Sequence, residues 1–149
     1  MSGFMGEESL MSIENTTSLK LVVTAILRHQ SKILILKRSS KTKSMQNKWG
    51  CISGYLESYE DPLTRALTEI IEETGIGFEQ VILQKILYPI QVEYEGKVTF
   101  VIQPFCFSSK VSSITLNWEH VEFRWIDIFD IKLYDLVPKL DELINCCFK

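Results

Sequence analysis

Between Asp61 and Gly75 the chain specifies both ends of a helix and most of what lies between. Asp61 is a capping residue, Pro62 takes the first helical position, and Gly75 supplies the stop. Leu63, Ala66, Leu67, Ile70 and Ile71 follow the i, i+3, i+4, i+7, i+8 spacing of a helix with one buried face. Glu69, Glu72 and Glu73 are spaced so that they share another face, which is expected to lie opposite the apolar stripe. Like charges at these spacings cost about 0.2–0.5 kcal/mol per pair. Carboxylates in a last helical turn also meet the negative end of the helix dipole, at about 0.3–1 kcal/mol each. No Lys or Arg follows Glu73 before Lys85. An anionic cluster set where a helix disfavours it calls for a counter-charge, and a divalent cation would supply one. Carboxylate oxygens suit Mg²⁺ or Mn²⁺. Spacing alone leaves a solvated acidic face as the alternative.

Around this helix the pattern is mostly strand. Leu21–Leu27 and Ile33–Leu36 are apolar runs joined by Arg28-His29-Gln30-Ser31-Lys32, which predicts a hairpin with His29 exposed and idle at its tip. Residues 81–96 and 97–109 predict two or three strands about a Glu95-Gly96 turn, and 120–129 predicts another. The last stretch, from Leu133, is expected to close the chain as a helix that tolerates or bends at Pro138. Hairpin, helix, strands and helix in that order imply a mixed α/β sandwich. The expected organisation is a flexible polar tail over 1–18 and one domain over 19–149.

Composition bounds the function. Hydrophobic residues at 46% and charged residues at 23% exclude a disordered chain. A net charge of -3 argues against a general nucleic-acid binder. No apolar run approaches the roughly 18 residues of a membrane span, and no secretory leader is expected. Cys51, Cys106, Cys146 and Cys147 form no CxxC pair, so reduced thiols in a cytoplasmic protein are expected, with Cys51 and Cys106 in the core.

The segment from Gly54 to Ile76, GYLESYEDPLTRALTEIIEETGI, resembles the Nudix box, G-x5-E-x7-R-E-U-x-E-E-x-G-U with U a bulky aliphatic. Gly54, Glu60, Glu69, Ile70, Glu72, Glu73, Gly75 and Ile76 match eight of nine positions, and Thr68 stands where the family has Arg. The resemblance extends over roughly residues 19–147, through Lys37-Arg38, Trp49 and the Glu119-to-Trp125 segment. It implies a Nudix-type α/β/α sandwich with a mixed sheet. It also implies hydrolysis of a diphosphate linked to another moiety, usually a nucleoside, with Mg²⁺ or Mn²⁺ on the box glutamates. Glu72 and Glu73 would then be metal ligands, and Glu69 a further ligand or the group that orients or deprotonates water. The Ser53 carbonyl would be an extra ligand, and Glu119 a late-loop ligand or base.

Departures from the pattern define further candidates. Thr68 cannot supply the family's arginine charge, and Arg65, four residues before Glu69, is the stand-in on the same face. Arg38 is a candidate phosphate contact through its guanidinium. Trp118 is a candidate for base stacking and Glu57 a candidate flanking the box. Tyr94 lies 18 residues past the box, near where dinucleoside-polyphosphate hydrolases of the family often carry Tyr. The partner expected is a small nucleotide-diphosphate substrate, without nucleic acid or membrane, and a homodimer accords with the resemblance. Thr68 supports an alternative, a non-catalytic Nudix-fold nucleotide-binding or sensor module. An isopentenyl-diphosphate-isomerase-like enzyme is disfavoured, because Ser53 rather than Cys precedes Gly54.

Overall fold

The computed structural model describes residues 18–148. Of the tail expected over 1–18, only Ser18 falls among them, as the first residue of a strand. Strands β1 (Ser18–His29) and β2 (Lys32–Arg38) form the expected hairpin, closed by a tight turn with Gln30 at φ 55°. Two short strands follow, β3 (Trp49–Gly50) and β4 (Ile52–Tyr55), and then helix α1 (Pro62–Thr74). After a 3-10 turn come β5 (Val81–Ile86), β6 (Ile90–Tyr94), β7 (Val98–Ser109) and β8 (His120–Asp127). A second 3-10 segment, Ile128–Leu133, leads to helix α2 (Leu140–Cys147).

β1 organises the sheet. It pairs antiparallel with β2 and β4, and parallel with β7 along nearly its whole length, from Ser18 opposite Val98 to Arg28 opposite Ser108. β3 and β8 extend the sheet from β2, and β5 and β6 pair with β7. Alternation along the inner strands sorts the core into two layers. Val23, Ala25, Leu27, Leu34, Leu36, Phe105 and Phe107 pack with Ala66 and Ile70 of α1. Ile26, Ile33 and Ile35 face the other way, onto Leu140, Leu143 and Ile144 of α2. A mixed sheet between two helical layers is the α/β/α sandwich expected.

Several local expectations need correction. His29 is not idle: its Nδ1 lies 2.9 Å from the Ser109 carbonyl oxygen and its ring is tilted against Trp125 at 5.8 Å. That Trp125 ring is half-buried against the core, with its indole N–H donating to the Ser112 carbonyl. The closing helix does not pass through Pro138. It begins at Leu140, because Lys139 at φ 67° turns the chain just before it. The thiols are not all reduced either: Cys106 and Cys147 form a disulfide with Cα atoms 5.8 Å apart, while Cys51 and Cys146 are free. Cys106 points away from Phe105 and Phe107, into the layer where α2 ends, and this brings the two sulfurs together. Among the described residues no helix is long and apolar enough to cross a membrane.

Candidate active site

The helix carrying the glutamates is fixed locally at both ends. The Asp61 carboxylate accepts from the Thr64 amide at 2.9 Å, and Gly75 ends the helix at φ 77°, a left-handed conformation that glycine adopts without strain. Its buried face differs from the apolar stripe. Ile71 is 41% exposed, whereas Glu69 and Glu73 are 8% and 1% exposed and share the inward face with Ala66 and Ile70. Gly54 explains the exchange. It lies on β4 opposite Val23, and a methyl group on its Cα would collide with the Glu69 carboxylate. The bare backbone at Gly54 is the seat into which this carboxylate fits.

A carboxylate buried beside another carboxylate holds its proton more tightly. Burial pushes Glu73 well above the ordinary carboxylate range; the neighbouring carboxyls of Glu69 and Glu119 add to this, and the Ser53 backbone amide opposes it. Glu73 Oε2 is buried without a hydrogen-bond partner. Glu72 is on the same helix but its side chain is 53% exposed.

Arg65 gathers the rest of the acidic face. Its Nε donates to Glu60 at 3.0 Å and its Nη1 to Glu69 at 2.8 Å, with Glu72 at 3.9 Å from Nη1. The bond to Glu69 holds the guanidinium even more firmly protonated than usual. Thr68 does not reach the carboxylates, since its hydroxyl donates back to the Thr64 carbonyl at 2.9 Å.

Beside this cluster a cavity of about 180 Å³ opens, with Ser53, Gly54, Arg38 and Glu119 on its wall. Val92, Phe100, Ile102, Val137 and Leu140 supply an apolar lining. Arg38 is braced by donating from Nε and Nη2 to the Ser44 carbonyl at 3.2 and 3.1 Å. Glu119 is held by the Asn117 side-chain amide at 3.2 Å. Burial raises its proton affinity; Glu69 and Glu72 add to the rise, while Asn117 and Arg38 oppose it.

Glu69, Glu73, Glu119, Arg65, Arg38 and Ser53 thus converge from α1, β2, β4 and the residue just before β8. The other candidates stand apart. Trp118 is 65% exposed, Glu57 is exposed with its amide donating to Glu60, and Tyr94 closes β6; none of them lines the cavity. Two residues that sequence reasoning passed over belong here. Cys51 lines the cavity, and burial, with Glu73 adding, pushes its thiol up to about 12. Burial thus favours the thiol over the thiolate there. His120 is 4% exposed, with Nδ1 lying 3.7 Å from Glu73 Oε1. Its position directly after Glu119 was the available signal.

The donor set consists of hard oxygens, and its orphaned buried atom, Glu73 Oε2, is itself a carboxylate oxygen. Among the described residues no three His, Cys, Asp or Glu side chains form a ready cage for an ion. Mg²⁺ requires none, because it takes one or two carboxylates and completes its shell with water and phosphate oxygens.

A family model described as NUDIX domain matches residues 18–145. No curated protein matches the chain at a significant level. Among solved structures, a MutT protein from Methanosarcina mazei Go1 is 20% identical at a TM-score of 0.72, covering 89% of this chain and 94% of that one. The dihydroneopterin triphosphate pyrophosphohydrolase of E. coli is 18% identical at 0.73, covering 87% and 97%. An Ap4A hydrolase from C. elegans is 16% identical at 0.71, covering 85% and 93%. At these identities the structures establish the common fold, and the family model establishes membership. The chain belongs to the Nudix family and is a Nudix hydrolase.

Proposed function

We propose that this Nudix hydrolase depends on Mg²⁺ or Mn²⁺ and cleaves the diphosphate bond of a nucleoside diphosphate linked to another moiety. The observation that carries the reading is the burial of Glu69 against Gly54 with Glu73 buried beside it, Glu73 Oε2 being unpartnered. Buried carboxylates so disposed favour a cation or a shared proton, and hard oxygen ligands favour the ions named. Glu72 and Glu73 would hold the ion, with Glu69 and the Ser53 carbonyl as further ligands. When bound, it would offset the charge of the diphosphate and acidify a bound water.

The chain's own residues account for the remaining requirements. Arg65 fixes the direction of Glu69 by the 2.8 Å bond. Glu119, partly buried and with raised proton affinity, would accept a proton from the attacking water. Arg38, braced against Ser44, presents a cation to phosphate oxygens. The apolar wall around Val92 and Phe100 receives the moiety beyond the phosphates and keeps water from it.

The test is a panel of nucleoside diphosphate compounds supplied with Mg²⁺ or Mn²⁺, read by phosphate release after phosphatase treatment. Turnover is expected on at least one compound, to vanish with chelator, and to fall by at least about 100-fold in Glu73→Gln. Undiminished turnover in Glu73→Gln would rule the reading out.

A further inference from the structure

We infer that His120 is a positioning residue of the metal site: its imidazole holds the Glu73 carboxylate so that Oε2 stays turned toward the cation. This rests on the divalent-cation reading above.

His120 opens β8 opposite Arg38 of β2, just past the irregularity between Lys37 and Arg38, and its amide donates to the Asn117 carbonyl at 3.4 Å. The His120 backbone is therefore fixed at the edge of the sheet's β2–β8 pair. Alternation then sends neighbouring side chains to different places: Glu119 lines the cavity, and His120 is buried against Glu73. Neither ring nitrogen has a hydrogen-bond partner, and the same holds for Glu73 Oε2. A buried polar group left unpaired costs free energy, and the unpaired Nδ1 lies 3.7 Å from Glu73 Oε1, a contact that closes with a small movement. A neutral imidazole has one N–H to give. Given to Oε1 from Nδ1, it fixes the rotation of the carboxylate and leaves the second oxygen available. Donors of this kind behind a ligand change metal affinity by about 10–100-fold when removed.

The experiment measures Mn²⁺ binding without substrate, by calorimetry and by the electron paramagnetic resonance signal of free Mn²⁺. His120→Asn and His120→Leu are near-isosteres, one with an amide donor close to the Nδ1 position and one with none. Wild type is expected to bind Mn²⁺, His120→Asn to bind within a few-fold of it, and His120→Leu to bind about 10–100-fold more weakly. In a Glu73→Gln background, His120→Leu is expected to add no further loss, which separates action through Glu73 from a general loss of packing. Equal Mn²⁺ affinity in His120→Leu and wild type would overturn the inference and leave the metal reading standing. A full further loss in the Glu73→Gln background would also overturn it, since the imidazole would then act independently of Glu73. Wild-type protein that ignores Mn²⁺ would overturn the metal reading and this inference together.

Discussion

At the scale of single residues, the site depends on one missing side chain and one displaced charge. Gly54 has no methyl group to hold the Glu69 carboxylate off β4. Gly54→Ala should therefore push Glu69 out of its seat. A misplacement of about 1 Å at a reacting centre costs on the order of 100-fold in rate, and this is the loss expected in turnover on a diphosphate substrate. Turnover unchanged in Gly54→Ala would mean that Glu69 is not needed where it sits. Arg65 is the displaced charge. With Thr68 bonded back to its own helix, the guanidinium that meets Glu69 comes from one turn earlier. Arg65→Ala is expected to cut turnover about 10–100-fold, with Arg65→Lys recovering only part because an ammonium cannot reach Glu60 and Glu69 as a planar fork does. A neutral Arg65→Ala would remove Arg65 from the machinery. The identities of these glutamates and of Arg65 were legible in the sequence, because spacing on one helix is local information. Their burial was not. Periodicity sets the acidic face opposite the apolar stripe, and only the approach of β4, with Gly54 at the point of contact, turns Glu69 and Glu73 inward.

At the scale of elements, local chemistry again divides what could be read from what could not. The start of α1, its stop at Gly75 and the Glu95-Gly96 turn are written within a few residues, and each is found where expected. The parallel pairing of β1 with β7 joins residues some eighty positions apart, and no local pattern specifies it. The α1 cap also has a definite pH signature. Bonds from the Thr64 amide and hydroxyl hold the Asp61 carboxyl below its usual range. A carboxyl lowered in the folded state binds fewer protons there than in the unfolded chain. Its contribution is therefore full above the unfolded value near 3.8 and is lost as pH falls through the lower folded value. Asp61→Ala should lower the melting temperature by a few degrees at pH 7, with Asp61→Asn close to wild type. The gap between Asp61→Ala and wild type should narrow in acid below that range. A gap that widened as pH fell would show that the cap does not act through the carboxylate.

At the scale of the whole molecule, the disulfide is the feature that composition pointed away from. Four cysteines without a spacing motif read as free thiols, and connectivity cannot be deduced from sequence in any case. What pairs Cys106 with Cys147 is the layering of the fold: β7 turns Cys106 to the side on which α2 packs, so the bond ties the sheet to the last helix across 41 residues of chain. Closing a loop of that length in the unfolded chain is worth about 4 kcal/mol in the chain-entropy model. For a domain of this size, reduction should lower the melting temperature by roughly 10 °C. Thiol labelling tests the arrangement independently of stability. In the native oxidised protein, exposed Cys146 should react, while buried Cys51, with its thiol pushed up to about 12, should stay unlabelled. Unfolding without reductant should add Cys51, and only reductant should bring Cys106 and Cys147 into reach. Mass spectrometry counts the labels directly, and four labels on unfolded chain without reductant would show that the bond between β7 and α2 is not made.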